Sequence, residues 1–237
     1  MNVRFKKEAT FLGAVAIWAL LLVSNASAVT TVVGCGADNI CTLAELIASS
    51  GTITVDDKIF SNFTGSINGS GTFTPTATSQ ITVTGTTIGG NEALVFTGGF
   101  FAGANSSADV AITYTVTATA GLISDIHLSA NLQAEGTGFA SVDEEARNTL
   151  TNVLQCEASI STTTTSDDSC ILLTPVATSR ITKDVFLIGG TDGLARMSII
   201  DQIITQVPGK IPEPASMLLF GLGLAGLGFW GRKRLGK

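Results

Sequence analysis

Polar and apolar residues alternate along the middle of the chain. In Ile81-Thr82-Val83-Thr84, Val110-Ala111-Ile112-Thr113-Tyr114-Thr115-Val116-Thr117 and Ile126-His127-Leu128-Ser129-Ala130-Asn131-Leu132, apolar residues occupy one face and Thr, Ser, Asn or His the other. Side chains of a strand point to opposite faces in turn, so a period of two predicts strands with one side buried. Weaker patterns predict further strands at 52–55, 58–62, 71–73, 93–97, 137–142, 156–164, 171–176, 181–188 and 195–207. About nine or ten short strands with no helical crossover between them predict an all-β fold, an antiparallel β-sandwich of jelly-roll type. One short helix is expected after Thr42, where Thr42 and Glu45 have capping-box spacing, Leu43, Leu46 and Ile47 form a stripe, and Gly51 is placed to stop it. Ile88-Gly89-Gly90-Asn91 and Ile188-Gly189-Gly190-Thr191 share a double glycine and read as two tight hairpins. Asp143-Glu144-Glu145 reads as a solvated acidic loop.

The ends follow another pattern. Arg4, Lys6 and Lys7 precede an apolar run from Phe11 to Val23, and Ala26-Ser27-Ala28 supplies small residues at a cleavage position. This is the layout of a signal peptide over 1–28, used by Sec-type export machinery and cut after Ala28. Thirteen apolar residues reach only about 20 Å as a helix, short of a bilayer core of about 30 Å. At the far end Pro212-Glu213-Pro214 leads into sixteen uncharged residues, 215–230, and then into a basic stop over 232–237 with Arg232, Lys233 and Arg234. Positive charge is retained on the cytoplasmic side, so the stretch predicts a transmembrane helix with the preceding domain outside. The domain expectation is therefore 1–28, an exported sandwich over 29–207, and a sorting segment over 208–237.

This tripartite end resembles the PEP-CTERM sorting signal, carried by Pro212-Glu213-Pro214-Ala215-Ser216, the Leu/Gly-rich stretch and the terminal basic cluster. The resemblance implies an exopolysaccharide-producing Gram-negative bacterium and an exosortase, a membrane-embedded transpeptidase-like cysteine enzyme, that removes the helix. It also implies a precursor in the inner membrane with its domain in the periplasm, then an outer-surface or matrix location. The two prolines fix φ and lack donors, which suits an extended substrate just outside the membrane. Gly221, Gly223 and Gly226 match a dinucleotide-binding spacing, but they follow no strand and lie in an apolar run, so that reading is set aside.

Charge and chemistry narrow the function classes. Charged residues are 14% of the chain, against about a quarter in an average soluble domain. Residues 29–211 hold six basic and seventeen acidic side chains, a surface that repels nucleic acid. Cys35, Cys41, Cys156 and Cys170 all lie in the exported part and permit three pairings. The local one, Cys35–Cys41 with Cys156–Cys170, closes the shortest loops, and these spacings miss the usual zinc pattern. His127, the only histidine, reads as a surface residue without a nucleophile to serve. Asp56-Asp57 and Asp167-Asp168 could not share a substrate as adjacent strand residues, which point to opposite faces, and without a calcium-loop pattern they read as solvated loops; the sequons at Asn62, Asn68 and Asn105 read as chance matches. No catalytic, cofactor or metal site is expected. The leading expectation is a non-catalytic, Thr-rich structural or adhesive protein of the exopolysaccharide layer, partnered by polysaccharide or other matrix proteins. A glycan-binding module is the alternative, disfavoured because Tyr114 is the only tyrosine and Trp18 and Trp230 lie in the end segments. A secreted hydrolase is third.

Overall fold

The computed structural model describes residues 29–36 and 40–207. The expectations for Ala26, Ala28, Pro212, Glu213, Pro214, Arg232, Lys233 and Arg234 lie outside the described residues. Within them the chain forms two antiparallel sheets and one α-helix. The first sheet runs in the order β1 (Thr30–Val33), β3 (Thr52–Val55), β4 (Lys58–Ser70), β8 (Ser107–Ala118), β14 (Thr178–Ile188), β11 (Phe139–Asn148), β12 (Leu154–Ser161). The second runs β13 (Asp167–Val176), β9 (Leu122–Ala130), β15 (Leu194–Val207), β7 (Asn91–Ala102), β6 (Thr82–Ile88), β2 (Cys41–Thr42). Short β10 (Gln133–Glu135) pairs with β15, and β5 (Phe73–Thr74) pairs with β7.

The alternation explains the layering. On β8, Val110, Ile112, Tyr114 and Val116 are wholly buried while the residues between them face outward. The inner faces of the two sheets close on one core, in which Tyr114 lies among Phe60, Phe63 and Phe96 at ring-centroid distances of 6.1, 5.6 and 5.9 Å. Each such apolar side chain contributes about 1.5–3 kcal/mol on burial. Helix α1 (Leu43–Ser49) is capped as its sequence predicts, with the Thr42 hydroxyl accepting from the Glu45 amide and Glu45 accepting from the Thr42 amide. Ser50, not a glycine, takes the left-handed turn at φ 51°, and the Gly51 amide closes on the Leu46 carbonyl.

Several expectations need correction. There are fifteen strands among the described residues, and β4, β7, β8, β14 and β15 are each eleven to fourteen residues long. Thr, Gly, Ser and Asn continue pairing where their side chains face solvent, so loss of apolar character did not mark a strand end. Asp143-Glu144-Glu145 is not a loop but the middle of β11, with Glu144 turned into the core. Asp167 and Asp168 open β13 rather than sitting in a loop, whereas Asp56 and Asp57 do form the turn between β3 and β4.

The two double glycines do different work. Gly89 and Gly90, at φ 60° and 86°, join the paired strands β6 and β7 as a tight hairpin. Gly189 and Gly190 instead carry the chain from β14 in one sheet toward β15 in the other, so the second hairpin reading fails. A Cβ at Gly189 would collide with the Gly103 carbonyl, and Gly190 alone takes positive φ, 64°.

The local disulfide scheme holds, and its consequence is larger than two short loops. Cys35, just after β1, bonds Cys41 at the start of β2 across 5.1 Å between Cα atoms, and Cys156 on β12 bonds Cys170 on β13 across 5.6 Å. β1 and β12 are the edges of the first sheet, and β2 and β13 those of the second. Each disulfide therefore staples one open side of the sandwich, guarding edges that otherwise invite pairing with another chain.

Candidate functional site

His127 projects from the outer face of β9, half exposed, with Nε2 2.7 Å from Asp167 on the neighbouring β13. Its register neighbours are Ser169 and Ile203, and among the described residues no hydroxyl or thiol hydrogen-bonds its ring. Two residues along, Asp125 accepts a weak 3.4 Å bond from the Thr205 hydroxyl. Partial burial holds the Asp125 carboxyl above the usual range, opposed by Thr205 and His127. The contact with Asp167 is the feature the sequence reading of His127 lacked, because it depends on which strand lies beside β9.

A second polar surface lies on the outer face of the first sheet. Asp143 on β11 and Asp184 on β14 are register partners, and Asp109 on β8 lies near Asp184 from the other side. Partial burial first, then the charges of Asp109 and Asp143, raise the Asp184 carboxyl. Glu145, Glu157, Ser159 and Thr182 complete an open groove here, with the Ser159 hydroxyl donating to Asp143 at 2.6 Å. Outward carboxylates in register were readable only once the strand order was known.

A third groove lies on the outer side of the second sheet, where Phe101 on β7 faces Arg196 on β15 in register. Arg196 Nε donates to Gln133 Oε1 at 2.7 Å. Asn131 donates from Nδ2 to the Ser198 hydroxyl at 2.6 Å and accepts from the Ser198 and Ile199 amides at 2.8 and 2.9 Å. A held guanidinium, a held carboxamide and a partly exposed ring give the means to stack on and hydrogen-bond a polyhydroxylated ligand.

Two lysines are buried among the described residues. Lys58 donates to Asp57 at 2.5 Å, to Gln206 at 2.6 Å and to Glu92 at 3.4 Å. Asp56, Asp57 and Glu92 could bring ligand atoms within 4.8 Å of one another, but Lys58 already supplies the positive charge between Asp57 and Glu92. Lys183 bonds both Glu144 and Gln202. Burial lowers the Lys183 ammonium pKa, with Glu144 opposing, and burial followed by the Glu144 charge holds the Tyr114 phenol well above its ordinary value.

Outside the described residues, 210–233 match the family model for the PEP-CTERM protein-sorting motif. The chain carries a PEP-CTERM sorting signal. That motif implies an exported protein, anchored through its C-terminus and processed by exosortase, which is consistent with an extracellular destination. No curated protein matches the chain significantly. Among solved structures, TmCBM61 in complex with beta-1,4-galactotriose aligns at 13% identity and TM-score 0.32, covering 60% of this chain and 88% of its own. The enzymatically active domain of bacteriophage CBA120 tailspike protein 4 aligns at 13% identity and TM-score 0.29, over 61% of this chain and 19% of that one. At these scores neither likeness bears on ligand or activity.

Proposed function

We propose that this PEP-CTERM protein is a non-catalytic building block of the cell envelope or extracellular polysaccharide matrix. The observation that carries the reading is the sorting motif at 210–233. The domain that precedes it supports the reading, being a sandwich stapled at both open sides. In this account residues 1–28 direct export and are removed after Ala28, residues 29–207 form the delivered domain, and 208–237 hold it in the inner membrane until exosortase acts. His127 serves the surface through its pair with Asp167 rather than a reaction.

The test follows the protein among inner membrane, periplasm and matrix. Wild type is expected in the matrix, and His127→Ala is expected there in equal amount. Pro212→Ala with Pro214→Ala frees a backbone that must stay extended for cleavage, and this protein is expected to accumulate in the inner membrane. Release of the double variant at the wild-type level would reduce the motif to a hinge and overturn the reading.

A second reading has one specific observation behind it, the groove of Phe101, Asn131, Gln133 and Arg196. On that reading the domain holds matrix glycans by stacking and hydrogen bonds. Glycan-array binding that is lost in Phe101→Ala and in Arg196→Ala would favour it, and equal array signals for wild type and both variants would remove it.

A further inference from the structure

At the centre of the sandwich one amine contacts both a carboxyl and a carboxamide. Lys183 points inward from β14 between the buried Ile181 and Val185. Its Nζ contacts Oε2 of Glu144, its register partner on β11, and Oε1 of Gln202, which arrives on β15 from the opposite sheet. Lys183 and Gln202 are fully buried and Glu144 is 2% exposed. The Gln202 Nε2 donates to the His127 carbonyl at 3.2 Å, which holds the amide plane and leaves its carbonyl turned toward the lysine. The amide carbon lies one bond, about 1.2 Å, beyond Oε1, so the contact of Nζ with Oε1 sets the amine beside that carbon.

Burial disfavours the charged form of Lys183, with Glu144 opposing, and so favours the nucleophilic amine. Glu144 Oε1 and the Tyr114 hydroxyl are both buried without a hydrogen-bond partner. Glu144 thus touches the amine through one oxygen and has a second oxygen free to carry a proton. The Phe96 ring, its centroid 5.9 Å from Nζ, lies beside the site within the aromatic core.

We propose that Lys183 and Gln202 become joined by an isopeptide bond across the two sheets, with Glu144 carrying the proton. The Nζ lone pair attacks Cδ of Gln202, and the Nζ–Cδ bond forms. Glu144 takes a proton from Nζ and delivers one to Nε2, the Cδ–Nε2 bond breaks, and the nitrogen departs as ammonia. A primary amine and a primary amide give a secondary amide and ammonia, nothing is oxidised or reduced, and Glu144 ends as it began. The product ties the middle of the sandwich as the disulfides tie its sides. This inference is independent of the sorting and matrix reading.

Mass spectrometry of the full chain, exported, reduced, alkylated and digested with trypsin, tests it. The expected product is peptide 181–196 linked to peptide 197–210, lighter than their sum by one ammonia and uncut after Lys183. Glu144→Gln, checked for native fold by circular dichroism, is expected to yield the two segments unlinked and cut after Lys183. Folded wild type that gives mainly unlinked 197–210 overturns the proposal, and that measurement needs no variant. A Lys183–Glu144 link with loss of water overturns it too, as does a folded Glu144→Gln protein linked as fully as wild type.

Discussion

Lys183 and Lys58 are both wholly buried, and both meet an acid and a glutamine of β15, Gln202 and Gln206, which lie four residues apart on that strand. Their surroundings differ. Lys183 is mid-strand, and every polar group it touches is sealed in the core. Lys58 stands at the start of β4, where Asp57 belongs to a turn and Gln206 is exposed. Water reaches Gln206 and part of Asp57, though Glu92 is buried, while the whole Lys183 group must satisfy itself internally. The same side-chain chemistry is thus an ordinary ion pair at the sandwich end and a reactive constellation at its centre.

The largest effect should come from breaking the sealed group. Lys183→Met leaves Glu144 without its partner in the core and should cost about 3–5 kcal/mol in urea unfolding. Adding Glu144→Leu should recover most of that loss, because removing both members of a buried pair is often neutral or better. Cys156→Ser with Cys170→Ser, which opens one side of the sandwich, should cost about 3 kcal/mol on the chain-entropy model. Lys58→Met should cost less than Lys183→Met, about 1–2 kcal/mol, since Gln206 is exposed and Asp57 is partly so. Equal losses for the two lysine variants would dissolve the contrast between centre and end.

The smallest effect lies on the outer face, at Asp184. Its carboxyl pKa is raised in the folded protein by burial and by Asp109 and Asp143. The folded state therefore binds that proton more tightly than the unfolded chain, and stability falls as pH rises from the usual carboxylate range through the raised value. Asp184→Asn should stabilise the domain at pH 7 by about 0.5 kcal/mol, the scale of like charges facing across strands. Thermal melts should show this gain shrinking to nothing below the carboxylate range. A gain of equal size at every pH would mean that the effect is not electrostatic.

What could be read from the chain before its fold was known divides along the same physical line. Period-two alternation reports which way each side chain faces, and it placed β8, β9 and the core face of β14. The same alternation already put Lys183 in line with Ile181, Val185 and Leu187, Glu144 in line with Val142 and Ala146, and Gln202 in line with Ile200 and Ile204. Polar residues on apolar faces are the signal for the buried group, and a loop reading of 143–145 hides it. Which strands lie side by side is not a local property. The Asp143–Asp184 pairing, the His127–Asp167 contact, the meeting of Phe101 with Arg196 and the different paths of the two Gly-Gly segments all depend on strand order. The capping box and the local disulfides were readable because their partners are close in sequence.

If this domain is exported and then separated from its C-terminal segment, the C-terminal peptide of the protein recovered outside the cell shows it. That protein is expected to lack the apolar stretch 215–230 and the basic cluster that follows, and cells without exosortase are expected to retain the chain through Lys237 in their membranes. Extracellular protein still ending at Lys237 would contradict the separation.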